Sequence, residues 1–320
     1  MSVAKPFPRL ATRLVALLIC AGCLFTFSNA SASDIRFTSG KSALRIPFEL
    51  HNNQIYLHIS VNDSKPLWII LDTGARTIIS RSIAHMLGLK LQEQGRFQST
   101  GESVPVKVAL TKDVAFRLPG VTFTLQAVSV LAFENLERCL GHTADGILGL
   151  ELFSSSVVEI DYKDRFVNIY DAKSYQYSGA GEQFPLKTLS SGLVFVQASV
   201  TPSSRAPITG RFMIDTGFTL SLFLNSPFVR ENKLLDNTQG QDFSNCGIGG
   251  EAKAIKDKVG ALELGSFKFN NLATIFSQAR SGINAASDVE GLIGGEILSR
   301  FKVIFDYSRQ RMILEPYPQG

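Results

Sequence analysis

Cysteine is scarce in this chain. There are four in 320 residues, and two of them, Cys20 and Cys23, fall in the first apolar stretch. Cys139 and Cys246 alone remain beyond it, which excludes a scaffold built on disulfides. They can form one bond in an oxidising compartment or stay as two buried thiols, and their positions suggest no symmetric structural role. Histidine is equally sparse. His51, His58, His85 and His142 lack metal-ligand spacing to cysteines or acids. They read as solvated or packing side chains, so no metal and no organic cofactor is expected. Neither a G-x-S-x-G element nor a phosphate-cradling G-x-x-x-x-G-K loop is present. Basic blocks are missing too. Without Lys5, Arg9 and Arg13 the net charge of +4 falls to +1, which argues against nucleic acid as a partner. Past residue 27 there is no apolar run long enough to span a membrane.

Residues 1–32 read as a secretory signal peptide. Three cations precede an apolar core over residues 14–27, and Ala30-Ser31-Ala32 is an A-x-A-like cleavage site. The apolar core is short for an uncleaved anchor. Cys20-Ala21-Gly22-Cys23 resembles a lipoprotein box, with Cys20 where leucine is usual, so a lipid anchor at Cys23 is the second route. Either route points to the periplasm or the outside of a bacterial cell, with an outer-membrane lipoprotein as the variant form. About 288 residues are left after processing. A chain of that length buries roughly three quarters of its unfolded surface and suits one large domain or two lobes.

An internal duplication organises those residues. WIILDTG, ending at Gly74, is matched by RFMIDTG, ending at Gly217. DGILGLELF from Asp145 is matched by EGLIGGEIL from Glu290. The two Asp-Thr-Gly aspartates are 143 residues apart, and Gly146–Gly291 and Asp161–Asp306 are each 145 apart. The local pattern is β. Residues 54–61 and 193–200 are rich in β-branched and aromatic residues and partly alternate. VVEIDY with VNIY, and VIFDY with RMILE, predict hairpins around polar turns. Residues 80–87 predict a short helix capped by Ser80, and residues 226–232 another with Ser226 as cap and Pro227 in its first turn. Residues 175–183 are the expected boundary between the copies; residues 237–250 and 281–288 read as flexible.

One Asp-Thr-Gly is a common turn, but two at equal register, each after an apolar strand, ask for chemistry. Two carboxylates at hydrogen-bonding distance cannot both ionise, so the pair holds one proton. The ionised member takes a proton from water while the other donates to a carbonyl oxygen. The dyad titrates as a unit, so acid and base are not assigned individually.

On these motifs the chain resembles the retropepsin-like and pepsin-like aspartic peptidases, especially bacterial secreted proteins with two such lobes in one chain. The resemblance implies an all-β, bilobal acid-protease fold with pseudo-twofold duplication and short helices. Residues 33–177 and 178–320 would be its lobes. It implies Asp72 and Asp215 as catalytic aspartates, with Thr73, Gly74, Thr216 and Gly217 supporting the dyad loops. Ile147-Leu148-Gly149 and Leu292-Ile293-Gly294 would pack beneath them. The activity implied is that of an aspartic endopeptidase acting on a peptide or protein. With both lobes in one chain, a monomer suffices.

The residues after the triplets depart from the family. Ala75 and Phe218 stand where Ser or Thr is frequent, so a less acidic working pH is expected, and Phe218 could shift its loop or narrow the cleft. Residues 97–104 and 246–251 are the candidate flaps. Trp68 is expected to anchor the strand before Asp72. Asp161, Asp306, Asp145 and Glu290 are read as structural. The competing function is a non-catalytic peptide-binding protein on the same two-lobed fold. A glycosidase-type carboxylate pair and an accidental repeat fit the matched turns less well.

Overall fold

The computed structural model describes residues 14–15, 33–97, 105–203, 205–236 and 239–318. The expected leader and its Cys23 lie outside these, apart from Leu14–Val15, a two-residue strand parallel to Asn245–Cys246. The first candidate flap also lies outside them, save for the end of the strand Gln92–Phe97. Among the described residues no helix is long and apolar enough to cross a membrane.

The molecule is β-rich, with two sheets of nine and sixteen strands and a few short helices. The strands leading to the two triplets are Leu67–Leu71 and Ile208–Ile214. Their last residues are buried on both faces, which suits an uninterrupted apolar run. Each strand has the same surroundings. Leu67–Leu71 pairs antiparallel with Gln54–Val61 and parallel with Gly146–Leu148. Ile208–Ile214 pairs antiparallel with Val194–Thr201 and parallel with Gly291–Ile293. The glycine-led strands then pair antiparallel with Ile78–Ser80 and Leu222–Leu224. Those in turn run parallel to Val128–Leu131 and Phe267–Ser277.

Both expected hairpins form, Ser156–Asp161 with Phe166–Asp171 and Phe301–Asp306 with Arg311–Pro316. They also join each other, through antiparallel pairing of Ser156–Asp161 with Phe301–Asp306. One sheet therefore joins the two hairpins. Asp161 and Asp306 hold the turns, as a carboxylate near the end of a strand can. Asp161 accepts from the N–H of Lys163 and of Asp164. Asp306 accepts from the Arg309 N–H and from the Arg311 guanidinium.

Several local expectations shift. The helix Arg81–Met86 is capped by Ser80 as expected, its Oγ accepting from the Ile83 N–H. The helix Ser226–Glu231 starts one residue earlier than expected, with Asn225 at the cap. Ser226 is drawn away because its hydroxyl donates to the Ala279 carbonyl at 2.6 Å, a partner 53 residues distant. Of residues 237–250, expected to be flexible, 241–247 form a strand along Gly250–Leu264, and 237–238 lie outside the described residues. A short 3-10 turn, Ile283–Ala285, orders the middle of residues 281–288. In the boundary stretch, Tyr175 packs on Tyr170 with rings 4.9 Å apart, and Glu182–Pro185 pairs with Arg311–Pro316. Of the two options for the cysteines, the disulfide is the one formed: Cys139 is bonded to Cys246.

Candidate active site

Each apolar strand ends where its aspartate folds the chain back on itself. The Asp72 carboxylate accepts from the Gly74 N–H at 2.7 Å, and that of Asp215 from the Gly217 N–H at 2.9 Å. Such a bond two residues ahead closes a tight local turn. The two turns then clasp. Thr73 N–H donates to Thr216 Oγ1 and Thr216 N–H to Thr73 Oγ1, both at 3.0 Å. Each hydroxyl also donates across the junction, Thr73 to the Ile214 carbonyl at 2.7 Å and Thr216 to the Leu71 carbonyl at 2.9 Å. Four buried bonds thus fix one triplet against the other.

The glycines let the carboxylates meet. A Cβ on Gly74 would lie 2.6 Å from Asp215 Cγ, and one on Gly217 would overlap the Asp72 carboxylate. Each aspartate therefore occupies the space over the opposite glycine. The carboxyls are close enough for each to alter the other's ionisation. Both residues are 0% exposed. Asp72 Oδ2 and Asp215 Oδ2 find no donor among the described residues.

Burial pushes both carboxyls above the usual carboxylate range. For Asp215 the nearby charge of Asp72 adds to the rise, and the N–H groups of Gly217 and Phe218 oppose it. For Asp72 the N–H groups of Gly74 and Gly217 and the bond with Asp215 oppose it. Such a pair holds one proton between two acceptors over a range above the ordinary aspartate value.

The elements beneath behave as expected. Asp72 N–H donates to the Leu148 carbonyl at 3.1 Å and Asp215 N–H to that of Ile293 at 2.9 Å. Asp145 accepts from the Trp68 N–H at 2.8 Å, and Glu290 from the Arg211 N–H. Both acids are therefore structural, tying the start of one strand to the next. Trp68 is an anchor, stacked on His58 with rings 4.7 Å apart and edge-on to His142. Among the described residues no group of three or more His, Cys, Asp or Glu could hold a metal ion. The Phe218 ring turns into the core. It is 1% exposed, packed edge-on to Phe223, and its triplet keeps the bonds of the first.

Two features escaped the sequence reading, and a third showed there only as part of the repeat. Gln54 Nε2 donates to the Gly217 carbonyl and Asn53 Nδ2 to that of Thr219, so a turn of the first half braces the second loop. Nothing near Gln54 in sequence signals a partner 163 residues away. Glu151 takes the Thr77 N–H and the Arg76 guanidinium, while Glu296 takes the Ser221 hydroxyl. That pair was visible as a glutamate at the same offset in both copies. Tyr162 and Tyr307 are also matched, and each has a buried hydroxyl with no partner among the described residues. Burial holds both tyrosines neutral, with Tyr317 and Asp215 adding to this at Tyr162, and Asp72 and Asp215 at Tyr307.

Residues 57–152 match the family model for Aspartyl protease. A comparison with curated proteins finds no match. The matched span carries Asp72-Thr73-Gly74 and Ile147-Leu148-Gly149, and it is protease-like at that level. Asp215-Thr216-Gly217 lies beyond it, and the tie between the two triplets rests on the hydrogen bonds above.

The clasp is open to measurement. Thr73→Val keeps the shape but strands the Thr216 N–H and the Ile214 carbonyl. Buried groups left unpaired cost about 1–3 kcal/mol each. The expected loss in urea unfolding is about 2 kcal/mol or more, and the double variant with Thr216→Val should lose less than the sum of the singles. Additive losses would show that the two threonines do not act together.

Proposed function

We propose that this protein is an aspartic endopeptidase, hydrolysing peptide bonds with a water activated between Asp72 and Asp215. The supporting observation is the reciprocal packing of the two triplets, which sets each carboxylate over the other's glycine with one side of each left without a donor. A water held there loses a proton to the ionised carboxylate as its oxygen attacks the amide carbon. The protonated carboxyl donates to the carbonyl oxygen. Proton return through the same pair expels the amine. Oriented, desolvated acid–base pairs supply this chemistry without a covalent intermediate. Thr73, Gly74, Thr216 and Gly217 hold the pair in register, with Gln54 bracing the second loop.

In this reading residues 33–177 and 178–320 are two lobes related by a pseudo-twofold axis, and a single chain makes a complete site. Residues 1–32 direct export to the periplasm or beyond. Sequencing the N-terminus of exported protein should begin at residue 33. A chain starting at an acylated Cys23 would establish the lipid-anchored form instead.

The decisive test is an unbiased peptide library incubated with the protein from pH 3 to 8, with mass-spectrometric mapping of cuts. Cleavage at defined bonds supports the reading, and folded protein that cuts nothing counts against it. The pH profile is a separate prediction. Activity needs one proton on the pair, and burial raises both carboxyls. The maximum should therefore lie above the ordinary aspartate value of about 3.9. A maximum near pH 2 would show that the pair ionises like exposed carboxylates.

A further inference from the structure

The hairpin of strands Gln241–Gly247 and Gly250–Leu264 carries Gly247, Ile248, Gly249 and Gly250 at its tip. This was the second candidate flap, and a tip so rich in glycine would ordinarily move freely. Instead it is held down. Ile248 is 2% exposed and joins an apolar cluster of the first half that includes Ala75, Ile78, Leu136 and Ile147. Ala75 directly follows Asp72-Thr73-Gly74, and Ile147 belongs to the strand paired beside Leu67–Leu71. Asn135 Nδ2 donates to the Ile248 carbonyl. Two residues before Ile248, Cys246 is bonded to Cys139 on the helix Glu134–Leu140, 107 residues away in sequence.

We propose that the Cys139–Cys246 disulfide is a redox latch that keeps this hairpin tip closed against the apolar cluster of the first half that includes Ala75, and that its reduction frees the tip to admit substrate. The proposal rests on the peptidase reading for its functional half. The fully buried aspartates require some element to move before a peptide reaches them. The tip is suited to moving alone, because its glycines have no side chains to unpack, whereas the strand behind it is fastened along Phe267–Ser277 from Ala254 onward. The apolar seat of Ile248 and one side-chain bond from Asn135 are reversible contacts; the disulfide is not. Release is an ordinary exchange. A dithiol, small or protein-borne, attacks one sulfur as thiolate, a mixed disulfide forms, and its second thiol closes the reductant's own disulfide. Two electrons and two protons reach Cys139 and Cys246, which become free thiols. Both cysteines are buried, so attack waits on brief loosening of the tip, and activation should lag behind addition of reductant.

Hydrogen exchange and peptide cleavage should be followed together in the full chain, for oxidised wild type, wild type with a dithiol reductant, and C139A/C246A. The latch predicts at least tenfold faster exchange over residues 246–250 in both bond-free forms, with the central strands unchanged. It also predicts a rise of at least tenfold in kcat/KM, and none in D72N. A disulfide serving stability alone would instead lower Tm and loosen exchange broadly without raising the rate. Unchanged exchange at the tip overturns the latch, as does faster exchange with cleavage flat or reduced in folded protein. If no form cleaves any peptide, the peptidase reading fails, while exchange at the tip still decides whether the bond holds it closed.

Discussion

Asp72→Asn is expected to lower kcat/KM on the best library peptide by on the order of 10³-fold or more, about 4 kcal/mol of transition-state stabilisation. The amide keeps the size of the side chain and can still accept from the Gly74 N–H. What it cannot do is take a proton from water or share one with Asp215. The loss should therefore fall on kcat, with KM little changed. Stability should move the other way. Both carboxyls are raised in the folded protein, so between about pH 3.9 and their folded values the native state binds more protons than the unfolded one. Stability contributed by these groups is then full at low pH and declines as pH rises through that interval. Removing one of them by Asp72→Asn or Asp215→Asn should raise Tm relative to wild type, more at pH 7 than at pH 4. Calorimetry at the two pH values, beside the kinetics, separates this from simple misfolding. A variant that cleaves at the wild-type rate would remove Asp72 from the chemistry.

Gly217→Ala is expected to cost about 3–5 kcal/mol in urea unfolding, in the range of severe overpacking, and to abolish cleavage. The added carbon would stand where the Asp72 carboxylate is. The carboxylate cannot yield, because it is fully buried and tied to the Gly74 N–H. Gly141→Ala is the control. That residue ends the helix Glu134–Leu140 at φ 64°, with open space around it. Its substitution should cost only the backbone strain of a left-handed residue, about 1–2 kcal/mol. Equal losses at the two sites would mean that the carboxylates do not press on the opposite glycine.

The candidate site was unusually legible because its chemistry is carried by contiguous residues. An apolar strand, an acid that turns the chain and a glycine that tolerates close approach are all local properties, and their repetition at one register marked both halves. The hairpins around residues 163–165 and 308–310 were readable for the same reason, since alternation and turn chemistry act over a few residues. The misplaced features were each decided by a pairing or packing partner that local preference does not name. Ser226 is a good cap by local preference, yet the Ala279 carbonyl claims its hydroxyl. Residues 241–247 look loose in composition, but a neighbouring strand supplies the hydrogen bonds that order them. Phe218 read as a side chain that could shift its loop or narrow the cleft, and its ring packs with Phe223 and Leu220 in the core.

By itself, then, the sequence determined the β-rich character, the two matched turns and the residue types that meet in them. Those follow from periodicity and from hydrogen bonds spanning two or three residues. Only the tertiary structure decided how the halves are joined: threonine hydroxyls crossing 143 residues, Gln54 bracing the second loop, and Cys139 bonded to Cys246. Such contacts depend on the packing of the whole chain, because a donor, an acceptor or a thiol carries no local sign of which distant group will be brought to it.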